Sequence, residues 1–176
     1  MKMPNQLFTA MLTAGALLLA HINSQAQSGV WTTAGGGNWN DIANWSSGSG
    51  PIADGAGNLA DFSQVNPTAA ATVSLGTSRT IGSMIFADTT PSHDWTLNTN
   101  AGGVLLTLDN SSSPAIITVS NRALTISAPL AGTGGLRVDG AGTLTLAPLG
   151  ATTLGGGVTI SNVSGGGTVV GGAQSL

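Results

Sequence analysis

The sequence predicts an all-β chain wound as a right-handed parallel β-helix, a β-solenoid, behind a tryptophan-rich N-terminal cap. Three observations predict it. From about residue 70 onward, apolar residues alternate with Thr, Ser and Asn in short runs, the period of two that marks strands. The inward set is almost entirely Val, Ile, Leu and Ala, the sizes that fill a narrow lumen, with no large aromatic keystone. The runs are separated by small turns such as "GTGG", "DGAG" and "GGG". Stacked rungs lie one strand spacing apart, about 4.8 Å, and glycine fits that crowding.

Taken in order, the chain opens with "MKMPNQ" and its single lysine, Lys2, followed by the apolar run Leu7–Ala20 and the polar "HINSQAQ". A short basic start, an apolar stretch too brief for a membrane span and small residues at Ser24 and Ala26 make a secretory signal peptide over 1–26, cut after Ala26. That leaves 150 of the 176 residues as the mature chain, with no transmembrane helix. Residues 27–70 hold Trp31, Trp39 and Trp45 in a background of Gly, Asn, Thr and Ser. They read as the cap.

The rungs occupy 71–176. "ATVSL", "TIGSMIFAD" and "DWTLNT" come first, then "GVLLTLDN" with Val104, Leu106 and Leu108 on one face. Ile117 and Val119, then Leu124 and Ile126, then Leu136 and Val138, Leu144 and Leu146, and Val158 and Ile160 repeat the pattern. Gly, Asn, Asp, Pro and Ser bound each run. Two or three strands per turn give rungs of about 20 residues. Thr, Ser and Asn at outward positions suit a parallel stack, because like charges directly above one another would repel.

Charge and composition exclude several functions. The mature chain sets Arg79, Arg122 and Arg137 against seven aspartates, a net charge of −4, with no clustered positive patch for nucleic acid. There is no cysteine, so no disulfide and no thiolate metal site. His93-Asp94 is the one histidine beside a carboxylate, but neighbours on a strand point apart, and a solvated turn is the plainer reading. The aspartates, Asp54 and Asp61 in "DGAGNLAD" included, are spread along the chain and match no calcium-loop spacing. No residue is assigned a catalytic, metal-binding or cofactor-binding role, and no cofactor is expected. Asn44, Asn110 and Asn162 head glycosylation-type triplets to which no role is given.

The last 46 residues, 131–176, hold 14 glycines. Gly135-Leu136, Gly140 to Leu146, Gly150-Ala151, Gly156 to Ile160, Gly167 to Val170 and Leu176 form a frame that resembles the autotransporter-associated β-strand repeat of bacterial surface proteins. The "GGGNWNDIANW" opening is similar to the segment that precedes such repeats, and "TIGSMIFAD" to their connecting strands. Two departures stand out. Arg137-Val138-Asp139 replaces a common polar pair, and "APLGATTLGGG" lacks the usual aromatic. The resemblance implies a non-catalytic secreted or cell-surface β-solenoid, the passenger or stalk of an adhesin-like protein, lying outside the cell or on the outer membrane. Its partners would be surface glycans, neighbouring cells and further repeats of its own longer chain. "GGTVVGGAQSL" breaks off in mid-pattern, which suggests a truncated chain.

Two readings of Trp31, Trp39 and Trp45 remain. As a cap they cover the open end of the lumen, each burying roughly 150–250 Å², and Phe62 and Trp95 could join them. As a glycan-binding face they would stack on sugar rings, flanked by Asn38, Asn40, Asn44 and Asp41. The first buries the rings; the second leaves a face in water. A free-standing carbohydrate-binding module and a β-helix glycan-active enzyme are the functional alternatives to the stalk.

Overall fold

A computed structural model describes residues 27–46 and 52–161, and the backbone of 169–171. The expected signal peptide and the end of the expected repeat lie outside these residues. Among those described, the chain is almost wholly strand, its one helical element being the 3₁₀ turn Ile42–Asn44. Among the described residues no helix is long and apolar enough to cross a membrane.

The strands are β1 (Gly29–Val30), β2 (Gly36–Asn38), β3 (Gly55–Phe62), β4 (Ala71–Leu75), β5 (Arg79–Phe86), β6 (Trp95–Thr99), β7 (Leu106–Leu108), β8 (Ala115–Val119), β9 (Ala123–Ile126), β10 (Leu130–Gly132), β11 (Leu136–Asp139), β12 (Thr143–Leu146), β13 (Thr153–Leu154), β14 (Val158–Ser161) and β15 (Val169–Gly171). Every pairing between them is parallel. They form two sheets, one in the order β13-β10-β7-β5-β8-β11-β14 with β3 and β1 attached, the other β15-β12-β9-β6-β4-β2. This is a β-solenoid of about four turns. The six-stranded sheet is one face. The larger sheet supplies two more, joined through β5, whose first half pairs with β7 (Arg79 opposite Leu106) and second half with β8 (Ser83 opposite Ile116). Later rungs break that long strand into two, β7 and β8, then β10 and β11, then β13 and β14.

Rung length varies in a way the sequence spacing did not reveal. In the C-terminal part Thr143 pairs with Ala123 and Leu136 with Ala115. Those rungs meet the expected length of about 20 residues. Upstream, Leu124 pairs with Trp95 and Ile116 with Ser83, so the rungs there are markedly longer. The added chain sits in the corner loops 87–94, 100–105 and 109–114. A loop at a corner lengthens a rung without disturbing the ladders on either side.

The alternation read from sequence is the alternation of burial up to β13; in β14, the end of the described stack, Val158 is only half-buried and Ile160 is 51% exposed, against the inward placing expected of them. In β4, Ala71, Val73 and Leu75 point into the lumen and Thr72 is exposed; in β8, Ala115, Ile117 and Val119 are buried. Inward residues stack from rung to rung: Val73 over Leu97, Ile126 and Leu146 in one column, Met84 over Ile117 and Val138 in another. The lumen is not uniformly aliphatic, however. Phe62, Phe86 and Trp95 all point inward and are buried, so its N-terminal part is aromatic. Nor do the ladders begin at residue 71, since β2 and β3 already pair in parallel with β4 and β5. Residues 27–70 contain the first rung as well as the covering segment.

That first rung reaches past its neighbour. The pairing of β3 with β5 shifts register between Gly55 and Leu59, leaving Ala56, Gly57 and Asn58 as a bulge opposite Gly82. The bulge lies across Gly82, and the Gly57 N–H donates to the carbonyl of Asp109, one rung further on, at 2.9 Å.

Candidate functional site

All six aromatic side chains from residue 27 onward meet at one end of the solenoid. Phe62 is the hub. Its ring stacks on Phe86 at 4.4 Å with 5° between planes, an in-register pair of β3 and β5. Trp31, Trp39, Trp45 and Trp95 surround it at 5.3–5.9 Å, Trp45 and Trp95 edge-on and Trp31 and Trp39 tilted. Trp31 and Trp45 lie edge to face at 5.2 Å across an antiparallel bridge. The chain reaches this arrangement through Asn and Asp turns. Asp41 caps the 3₁₀ turn by accepting from the Ala43 N–H, and the Asn44 amide donates to the Asn38 carbonyl.

Sequence reasoning placed Trp31, Trp39 and Trp45 together and weighed them as a sugar-stacking face. The structure brings them together and buries them, to 0%, 0% and 1% exposure. Each indole N–H is consumed within the fold: Trp31 donates to the Thr33 carbonyl at 2.7 Å, Trp39 to Ala53 and Trp45 to Trp39 at 2.9 Å, and Trp95 to Ala87 at 3.0 Å. A stacking platform needs an open ring face, and none of the three has one. Phe62 and Trp95, raised as additional members, are part of the cluster. Phe86 was missed, although it stands two residues after Met84 on the alternating inward face of "TIGSMIF".

The polar groups raised as candidates are also engaged in structure. Asp54 holds Arg79 at 2.8 Å and accepts from the backbone of Gly55 and Thr80. The second guanidinium nitrogen donates to Asn40 at 2.7 Å, so this pair ties the corner of the first rung to the second. Asp61 accepts from the Ser63 N–H and hydroxyl. The two aspartates of "DGAGNLAD" are thus occupied separately. No group of three or more His, Asp or Glu side chains that could hold a metal occurs among the described residues. His93 and Asp94 face different partners: Asp94 pairs with Arg122 at 3.0 Å, and His93 Nδ1 lies 2.9 Å from the Pro67 carbonyl.

Asp88, passed over in sequence, is the most deeply buried charge described, at 1% exposure. Its carboxylate accepts the N–H groups of Thr90, Ser92 and His93 and the Ser92 hydroxyl, all within 3.0 Å. Asn121 of the next rung clamps its backbone on both sides, accepting its N–H and donating to its carbonyl. Ser92 and His93 Nδ1 lie 2.7 Å apart, so Asp88, Ser92 and His93 outline a familiar set of residue types. The set is not wired for nucleophilic attack. The Pro67 carbonyl can only accept, so Nδ1 carries the proton and cannot take one from Ser92, whose hydroxyl donates to Asp88. Desolvation of the Asp88 carboxyl favours its neutral form, but the hydrogen bonds from Ser92, His93 and Thr90 outweigh it and hold the pKa below the ordinary 3.8.

The depressed value has a stability consequence of fixed sign. The stabilisation is present in full above the unfolded value of 3.8 and is lost as pH falls through the lower native one. Asp88→Asn is expected to cost about 1.5–3 kcal/mol at neutral pH, the scale of hydrogen bonds to a charged group. Thermal unfolding of both proteins checks this: the gap in Tm narrows as pH is taken below 3.8. A gap independent of pH would contradict it.

No protein-family model, no curated protein and no solved structure matches the chain.

Proposed function

We propose that the chain is a non-catalytic, secreted or cell-surface β-solenoid, acting as the stalk or passenger part of an adhesin-like, autotransporter-type protein. The observation that carries this reading is the regular C-terminal stack, in which the strands from β8 to β14 pair rung on rung over one aliphatic lumen. A structure of this kind lengthens by adding rungs, each resting only on its neighbours, and makes a rigid rod. The resemblance of 131–176 to the autotransporter-associated repeat falls on these same rungs. The engagement of Asp54, Asp61, Asp88 and Asp94 in turns and ion pairs supports a structural use of the acidic residues.

Localisation tests the proposal. The full chain, expressed in a bacterium with an outer membrane, is expected to be processed after Ala26 and to begin at Gln27. It is then expected to be accessible to antibody on intact cells or recovered from the medium. Unprocessed protein retained in the cytoplasm would overturn it.

A further inference from the structure

The two halves of the solenoid are held together differently. Up to β9 the rungs are tied by side chains as well as by ladders. Arg79 bonds Asp54 and Asn40, Thr77 reaches Asn40, and Ser74 bonds Asn98 at 2.6 Å. Asn121 clamps Asp88, and Asp94 takes both Arg122 and the Ala123 N–H. The Gly57 bond to Asp109 joins the first rung directly to the third. Beyond Ala123, among the described residues, a single side-chain hydrogen bond crosses between rungs, from the Leu130 N–H to the Thr152 hydroxyl at 3.2 Å. Arg137 and Asp139 pair within their own strand. The core changes over the same stretch. No aromatic residue follows Trp95 in the sequence. The column Trp95, Leu124, Leu144 passes from aromatic to aliphatic. In another column Met84, Ile117 and Val138 are buried, while Ile160, next in line, is half exposed. The ladders shorten too: β3 and β5 run for 8 residues each, β10 to β14 for 2 to 4.

We propose that the solenoid opens as two units: the rungs up to Ile126, closed by the aromatic cluster, form one, and the strands from β10 onward form a second that detaches and re-forms while the first stays folded. In a stack of rungs, stability is a sum of what each rung supplies and what it gains from its neighbours. A fall in both along the stack sets a boundary for cooperative local opening. The fall comes between β9 and β10. Among the described residues, backbone ladders and aliphatic contacts span that boundary, and no side-chain hydrogen bond does. The rungs left standing are the template for re-forming. β9 presents Leu124 and Ile126 in register for Leu144 and Leu146, and β8 presents Ile117 for Val138. The opening leaves the tryptophan end sealed, so one end of the rod loosens while the other is fixed.

The native tryptophans make the two units separately visible. The last of them is Trp95, so their emission reports the first unit alone, whereas far-UV circular dichroism reports both. On urea unfolding of the purified full chain, part of the strand signal is expected to disappear at about 1 M less urea than the change in emission. In native-state hydrogen exchange read by mass spectrometry, peptides within 130–161 are expected to exchange about tenfold faster, or more, than peptides within 71–99. Leu144→Ala empties a fully buried position of the second unit. It is expected to lower the midpoint of the first transition and leave the emission transition in place. If this variant loses the second unit outright, native emission with a reduced strand signal in the absence of urea is the same result at its limit. Coincident wild-type transitions by the two probes would overturn the proposal. So would uniform exchange from 71 to 161, or an emission midpoint lowered by Leu144→Ala.

Discussion

Phe62→Ala is expected to destabilise the protein by about 3–5 kcal/mol, the range for truncating a buried aromatic. Phe62 touches all five other aromatic rings of the described chain, from Trp31 to Trp95, and is fully buried. The rings around it are fixed from opposite directions. Trp31, Trp39 and Trp45 hang from the covering segment, while Phe86 and Trp95 belong to the second and third rungs. None can fill the space without giving up its own indole hydrogen bond or its place in a ladder. The lost stacking with Phe86 adds roughly 0.5–1.5 kcal/mol beyond area alone. Urea unfolding followed by tryptophan emission measures the change, with a lower midpoint and an emission shifted to the red before unfolding. A change within about 0.5 kcal/mol, as at an ordinary surface position, would mean the cluster is not the keystone of this end.

The second large effect is expected at Gly82. A Cβ there would stand 2.5 Å from the Cα of Gly57 and 2.7 Å from its carbonyl carbon and nitrogen. These are backbone atoms of a neighbouring rung, so no side-chain rotation relieves the contact. Gly82→Ala must lift the 56–58 bulge and break the 2.9 Å bond from Gly57 to Asp109. The cost is about 3 kcal/mol, the upper part of the range for overfilling a packed site. Ser83→Ala, one residue on, is the control and is expected within about 0.5 kcal/mol. Hydrogen exchange at the Gly57 amide reports the same event locally. Equal stability of Gly82→Ala and wild type would contradict the close approach.

The strands were legible because each rung buries every second residue, and that period survives in a single sequence. Val73, Ile117, Leu124 and Leu144 needed nothing more than alternation to be placed inward. The parallel solenoid was legible in the small aliphatics and glycine turns, which the "GAG" turn illustrates: Gly140 has φ +96°, and a Cβ there would lie 2.2 Å from the Val119 carbonyl oxygen. What was not legible depends on register between distant rungs. Phe86 meets Phe62 because β3 and β5 pair as they do, and no spacing within "TIGSMIF" says so. Asp88 looked like one more turn residue until Asn121, a rung later, closed on it. The tryptophans were recognised as a group, but solvent exposure, the property that separates a cap from a sugar-binding face, is set by what covers them. Phe62 and the tryptophans' own neighbouring rings do that covering, and their contacts are tertiary.

Acrylamide quenching of tryptophan fluorescence, repeated over a panel of soluble polysaccharides, tests the central claim most directly: that the aromatic residues are the core of a solenoid end and not a binding surface. The structure requires blue-shifted emission, resistance to the quencher and no response to any glycan, because Trp31, Trp39, Trp45 and Trp95 are at most 1% exposed. Red-shifted, readily quenched emission that one glycan shifts and protects would contradict the account and return the three N-terminal tryptophans to a ligand.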